Sequence, residues 1–323
     1  MDFELSDEQE MLREVSRSML AAHCSPEKVR DAVAIDVDDS LWQLGADMGW
    51  TGLPVPEKHG GAAMGLVETT IVAEEIGRAL APGPWTDTAI AAWAASSGGA
   101  PDDVIAGLAS GDQRASAVID PGFIQAAASA DWLLVVEDAV RLIPANATQF
   151  RRRTTLDETR RFYAAADLAD SGYELAIPAQ RVRDAAAVMV AADALGVAVA
   201  TMRMTIDYAT VRQQFNRPIG SFQVVKHKIA DMLIAIEGLR STTYYAAMAL
   251  DVDLTDASLT ASAAKAFAAE KVPEITGEAL QIHGGIGFTW EHDLHLYLRR
   301  AKTDEVLGGA ADFHHDRVAT LLV

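Results

Sequence analysis

Cysteine is almost missing from this sequence: Cys24 is the one such residue among 323. A single thiol excludes an internal disulfide framework and a cysteine-based metal cluster, and Cys24 reads as a buried apolar filler. Basic residues are also scarce, with 27 Lys and Arg against 46 Asp and Glu and a formal charge of −19. Nucleic-acid binding needs clustered cations to meet phosphates, so that class is set aside. The one basic run, Arg151-Arg152-Arg153, reads as a solvated loop or a salt-bridge donor. Aromatics make up 7% of the chain. No Glu-x-x-His pair, nucleophile elbow or P-loop occurs, and His283-Gly284-Gly285-Ile286-Gly287 does not follow a strand as a Rossmann fingerprint would. His292, Asp293, His295, His314 and His315 lack a second cluster to complete a metal site, so no metal is expected. The start, MDFELSDEQE, is acidic and polar, unlike a secretory signal. The longest apolar stretch, 185–201, contains Asp193 and is rich in alanine, which reads as a buried bundle helix and not a membrane span. A cytoplasmic protein is expected.

What is abundant is alanine, the residue that enters a helix at least cost, and half the chain is hydrophobic. Ser6 followed by Gln9 fits a capping box, and Leu12, Val15 and Met19 then mark one apolar face. Leu41, Leu44 and Met48 predict a second helix ending near Gly49, and Val67, Ile71, Ile76 and Leu80 a third. Pro101 suits a first helical position, and Gly111 a stop. Between about 112 and 176 the runs SAVI, WLLVV and RLI, separated by Pro, Gly, Asp and Asn, predict four to six short strands. Helical spacing returns in Val182, Met189, Leu195, Val199 and Ile206, is broken by Pro218 and Gly220, and resumes over 222–250 and 255–283. Long helices with short connections pack as a four-helix bundle. The fold class is therefore mainly α with a small β insert. Its three parts are a helical amino domain (1–111), a reduced middle β domain (112–177) and a carboxyl-terminal bundle (178–323).

Two segments carry chemistry. In Arg212-Gln-Gln-Phe215-Asn-Arg-Pro218-Ile-Gly220-Ser-Phe222-Gln223, a cationic fork at a helix end precedes an aromatic and a Pro-Gly turn. That combination offers charge neutralisation of a pyrophosphate beside a stacking surface. In Gln281-Ile-His283-Gly284-Gly285-Ile-Gly287-Phe288, glycines let backbone N–H groups approach a ligand.

Together with GLPVPEKHGGAAMGLVETTIVAEEIGRALAP and QIHGGIGFTWEHDLHLYLRRAK, these segments resemble the acyl-CoA dehydrogenase family. The resemblance implies FAD as cofactor and α,β-desaturation of an acyl-CoA thioester. It implies that Arg212 meets the FAD pyrophosphate and Phe215 lies near the adenine end. Gln223, Gln281, His283, Gly284 and Gly285 would line the ADP half across a subunit interface. In the family a carboxylate takes the α proton while the β hydride passes to the flavin.

Two departures stand out. Arg299-Arg300-Ala301-Lys302 matches the landmark that precedes the family's catalytic glutamate, and counting forward places Gly308 at the usual glutamate position, so no catalytic base is assigned. Asp304 and Glu305 are nearby alternatives. Positions on the first long bundle helix where a base is sometimes found read Arg203, Met204 and Ala186, and Asp193 and Asp207 read as helix-surface or bundle charges. The middle segment also lacks a Thr-Glu-Pro-type motif. These departures are similar to subunits of heterotetrameric (α2β2) actinobacterial steroid side-chain acyl-CoA dehydrogenases, with a homologous partner supplying the base and an electron-transfer flavoprotein or similar acceptor. A self-sufficient homomer with a relocated base and a non-catalytic scaffold subunit remain as alternatives.

Overall fold

The computed structural model describes residues 5–32 and 35–323. The amino-terminal part contains α1 (Asp7–His23), α2 (Pro26–Ala32), α3 (Asp39–Asp47), α4 (Leu66–Ala79), α5 (Trp85–Gly98) and α6 (Asp102–Ser110). The Ser6–Gln9 capping box is present at the start of α1, with both reciprocal hydrogen bonds made. Pro101 caps α6 from outside instead of opening it, and Gly111 ends it with a left-handed φ of 77°. No pattern of spacing marks α5, because Trp85, Ile90 and its alanines are buried on all sides.

Seven strands follow, more than the four to six expected: β1 (Ala115–Val118), β2 (Ile124–Gln125), β3 (Trp132–Val136), β4 (Val140–Pro144), β5 (Phe150–Arg153), β6 (Phe162–Ala165) and β7 (Tyr173–Leu175). The additional ones are strands of two to four residues, too short to carry a pattern. One sheet has the order β1-β3-β4-β7, with β1 and β3 parallel, and the other is β2-β6-β5. The run WLLVV is continuously apolar because β3 is covered on both faces: Leu133 and Val135 pack with Ile124 and Tyr163, while Leu134 and Val136 join the helical core. Arg151, Arg152 and Arg153 lie in an exposed edge strand, not in a loop.

The carboxyl-terminal part is built on α7 (Ala179–Val211), a small ribbon of β8 (Gln213–Gln214) and β9 (Arg217–Pro218), α8 (Gln223–Asp251), α9 (Ala257–His283), α10 (Leu294–Asp304) and α11 (Ala311–Leu322). The short connection between α8 and α9 makes them antiparallel, and the Lys228–Glu278 ion pair ties the start of one to the end of the other. By length and composition α7 could cross a membrane, but 72% of its most apolar window is buried. It is the central helix of the bundle.

The amino-terminal helices dock on this bundle through α4. Its buried Glu74 accepts from Arg240 Nη1 at 2.5 Å and Tyr244 Oη at 2.8 Å, both on α8. The mostly helical architecture with a small β region matches the expected fold class.

Candidate functional site

The sequence motifs converge at one end of the bundle. The last turn of α7, the β8–β9 ribbon, the start of α8 and the end of α9 all lie there. Tyr208, one turn before Arg212, stacks on His283 with ring centroids 4.4 Å apart, and its hydroxyl donates to His283 O at 3.3 Å. Arg212, Gln223, Gln281, Gly284 and Gly285 are exposed around this contact. Phe215 stands 86% exposed at a left-handed φ of 51°, edge-on to Phe222, whose ring carries Arg217 at 4.1 Å. No carboxylate among the described residues pairs with Arg212. A Cβ added at Gly284 or Gly285 would meet no atom within 4 Å, so open space stands over this backbone. His283 alone is turned inward. Its Nδ1 lies 2.8 Å from Ala279 O and burial depresses its pKa, which leaves a neutral ring with an unpartnered buried Nε2. Its role here is to pack the glycine turn against Tyr208. An unpaired guanidinium, an exposed ring and open glycine backbone fit an anionic, aromatic-bearing group such as the ADP portion of a dinucleotide.

A second locus is a cavity of about 440 Å³ between α4, α5, β1, the first half of α7 and the α10–α11 turn. Gly308 is on its wall with φ +69°, and a Cβ built there would meet nothing within 4 Å. The usual glutamate position thus opens on the cavity but carries no side chain. Neither alternative base faces this space. Asp304 is 2% exposed and accepts from Arg160 Nη2 at 2.6 Å, while Glu305 pairs with Lys302 at 2.5 Å on the outer side. The turn itself is clamped from below: buried Lys265 donates to Gly309 O at 2.8 Å and Glu305 O at 3.2 Å, and His314 Nε2 lies 3.0 Å from Gly308 O. Burial pushes Lys265 down to about 8 and His314 to about 4, so His314 is neutral and its Nε2–H donates to the Gly308 carbonyl.

Asp193 is a buried bundle charge and not a helix-surface one. Arg300 grips it bidentately (Nη2 to Oδ1 2.6 Å, Nε to Oδ2 2.9 Å) and also donates to Thr159 Oγ1 at 3.0 Å. Arg160 adds Asp157 at 2.8 Å and Asp304 to the same cluster. Burial alone would raise Asp193, but Arg300 and Arg160 hold it down to about 2. Burial and the charge of Asp193 push Asp304 well above the carboxylate range, so it stays protonated. Arg300 and Arg160 thus bracket the ionised Asp193.

One cavity carboxylate has no sequence signal at all. Asp87, in the first turn of α5, accepts from Ala117 N at 3.1 Å and faces the cavity. Enclosure by protein pushes its pKa up to about 6. Its folded pKa lies above its unfolded one, so its contribution is favourable below about pH 4 and is lost as pH rises through 6. Asp87→Asn, which keeps the acceptor, should therefore add about 1–2 kcal/mol to the unfolding free energy at pH 8, a value reduced because the carboxyl meets cavity water. At pH 4 it should add almost nothing. Denaturant titrations at the two pH values measure this difference.

Cys24 is buried, with its thiol pushed up to about 11, as suits a filler. No group of three metal-ligating side chains forms among the described residues.

The family model "Acyl-CoA dehydrogenase, N-terminal domain" matches residues 6–115, and "Acyl-CoA dehydrogenase, C-terminal domain" matches residues 179–322. The β region lies between the two. The chain is 36% identical over 299 residues to acyl-CoA dehydrogenase IpdE2 of Mycobacterium tuberculosis, with 91% of each chain covered. Among solved structures it is similar to a Tcur3481-Tcur3483 steroid ACAD variant, with TM-score 0.90, 26% identity and 98% of each chain covered. It is also similar to a chain of the ChsE4-ChsE5 complex from Mycobacterium tuberculosis, with TM-score 0.87, 26% identity and 100% and 99% covered. The chain belongs to the acyl-CoA dehydrogenase family.

Proposed function

We propose that this chain is one subunit of a heteromeric, FAD-dependent acyl-CoA dehydrogenase. It holds the ADP half of a shared flavin while a homologous partner supplies the catalytic base and shelters the ring. The observation that carries this reading is a distance along α7. Cavity residues end at Asp193 and the cradle begins at Arg212, and at about 1.5 Å per residue that run spans about 28 Å. Pyrophosphate and ring of one flavin are separated by a single ribityl chain, so an ADP group at Arg212 belongs to a flavin whose ring lies outside this cavity, which favours a ring sheltered by a partner chain. Exposed Val211, Val224, Phe288 and Trp290 around the cradle supply the apolar surface such a partner would cover.

In this reading the three parts 1–111, 112–177 and 178–323 keep distinct tasks. The bundle end binds ADP, with Arg212 on the pyrophosphate, Phe215 by the adenine, and Gln223, Gln281, Gly284 and Gly285 along the group behind the His283 packing. FAD supplies the acceptor for the β hydride when bound. The likeness to a steroid ACAD suggests a steroid side-chain CoA ester as substrate, an α2β2 assembly in the cytoplasm, and an electron-transfer flavoprotein as the next acceptor. The engaged carboxylates of Asp304 and Glu305 argue against a self-sufficient homomer.

The test is co-expression with the homologous partner. The chain alone should be colourless and the complex yellow. In the complex, Arg212→Ala should weaken FAD binding by about 10- to 100-fold, the worth of hydrogen bonds to a charged group. Unchanged flavin occupancy would support the scaffold alternative instead, and an active yellow homomer would exclude the heteromer.

A further inference from the structure

The chain's one basic run plays no part in the ADP cradle. Arg151, Arg152 and Arg153 belong to β5, an edge strand of the sheet β2-β6-β5, and all three are exposed. The inner side of β5 is occupied by the antiparallel ladder to β6, from Phe150 opposite Ala165 to Arg153 opposite Phe162. Main-chain groups along a strand point alternately to its two sides, so half of those on β5 project outward. Among the described residues no main-chain hydrogen bond reaches that outer side. The side chains are equally free. Residues paired across a ladder share a face, so Arg151 and Arg153 project to the side of Phe162 and Arg152 to the side of Tyr163. Arg160 and Arg161, at the entrance to β6, are held by Asp157 and Asp36, whereas no carboxylate among the described residues pairs with Arg151, Arg152 or Arg153. In a chain of formal charge −19, an open strand edge thus carries three consecutive cations without a counter-charge.

We propose that β5 is a docking edge for an acidic, extended segment of another protein, which pairs with it as an added strand. Main-chain pairing supplies the attachment, and the arginines select what attaches. Charge decides between the possible occupants. A second copy is excluded: β5 against β5, in the register that uses all four residues, sets arginine opposite arginine at about 5 Å, and like charges directly opposite destabilise a ladder. A neutral strand would crowd the guanidinium groups and offer them no acceptor. A strand with carboxylates at alternate positions sets two of them opposite Arg151 and Arg153 on one face, where each guanidinium donates to a carboxylate in a forked pair. Charged residues on an edge ordinarily block pairing. Here their single sign closes the edge to a second β5 and leaves it open to acidic strands. None of the cradle residues lies in this sheet, so the surface is additional to the shared-flavin reading and independent of it.

The probe is a rhodamine-labelled peptide, Thr-Glu-Val-Glu-Val-Glu-Thr, titrated with the full chain and read by fluorescence anisotropy. It should bind saturably below about 1 mM, and more weakly as salt rises. The Arg151→Ala/Arg153→Ala double variant should bind about five-fold more weakly, the worth of two exposed ion pairs, and Arg151→Glu/Arg153→Glu about ten-fold or more. The same peptide N-methylated on its five central amides keeps every charge but has no N–H there to give the ladder. It should bind at least about ten-fold more weakly. All the replaced side chains are exposed, and an unchanged urea midpoint verifies the fold. No saturable binding, or equal affinity for wild type and the glutamate double variant, overturns the proposal. Equal affinity for the N-methylated peptide also overturns it, because loose charge attraction alone would then remain. So does inorganic tripolyphosphate binding at the arginines while the peptide does not, which would make the run a phosphate site. Flavin content of the assembled complex should be the same with either double variant, and its loss there would assign the arginines to flavin instead. A complex without flavin would sink the shared-FAD reading while leaving peptide binding to the chain intact.

Discussion

Replacing Arg300 with methionine is expected to lower the unfolding free energy by about 3–5 kcal/mol, the cost of stranding a buried charge. Arg300 is 1% exposed, and its loss removes both bonds to Asp193 and the bond to Thr159. Asp193 would keep only Arg160, at 3.9 Å, which already serves Asp157 and Asp304. Three carboxyl groups would then share one cation. The effect should reach beyond stability, because Arg300 joins α10 to α7 and, through Thr159, to the segment before β6. Asp304→Asn tests the assignment of charge within the same cluster. Asp304 is already neutral, so its amide, which still accepts from Arg160, should change stability by less than about 1 kcal/mol. A loss for Asp304→Asn as large as for Arg300→Met would mean that Asp304 is ionised. Urea unfolding followed by tryptophan fluorescence and circular dichroism reads both variants. Asp193, held down to about 2, contributes stability above its unfolded pKa that is lost only as pH falls through about 2.

This cluster also shows where sequence reasoning ends. Asp193 sits in an alanine-rich helix and Arg300 lies within a family landmark 107 residues later. Nothing local joins them, and their pairing exists only once α10 lies across α7. Asp87 was hidden for the same reason, since its pKa depends on the walls of a cavity built by four other elements. By contrast, the long bundle helices repeat their apolar faces over many turns, and 222–250 and 255–283 were readable to within a residue or two of α8 and α9. The cradle was readable because Arg212 to Gln223 and Gln281 to Gly285 are each contiguous and conformationally special. The structure adds that His283 points inward, a distinction that burial alone decides. Gly308 was legible from its distance to Arg299, but its open Cβ direction and positive φ were not. In the β region, β2 and β5 escaped because a two-residue strand has no alternation and an exposed arginine strand has no apolar face.

Gly196→Ala is expected to destabilise the protein by about 1–3 kcal/mol or more, the range for forcing atoms into a packed interface. Glycine in a helix interior normally costs about 1 kcal/mol relative to alanine, so on propensity alone this substitution would stabilise α7. The reversed sign comes from a backbone crossing. A Cβ at Gly196 would lie 1.9 Å from Glu74 O and 2.5 Å from Arg78 N on α4. The contact is reciprocal, since a Cβ at Gly77 on α4 would lie 1.9 Å from Asp193 O on α7. Neither obstacle is a side-chain tip that can swing away. Both helices must separate, and the separation acts at two functional levels. It moves Glu74 away from Arg240 and Tyr244, the polar dock between the amino-terminal helices and α8. It also shifts Asp193, the anchor of Arg300, and with it the wall of the cavity. Gly285→Ala is the control, because a Cβ there meets nothing within 4 Å and its φ is not left-handed. It should leave stability within about 0.5 kcal/mol, as ordinary surface substitutions do. A neutral Gly196→Ala would mean that α4 and α7 do not meet backbone to backbone, and the arrangement that brings Asp193, Arg300 and Gly308 to one cavity would then lose its physical basis.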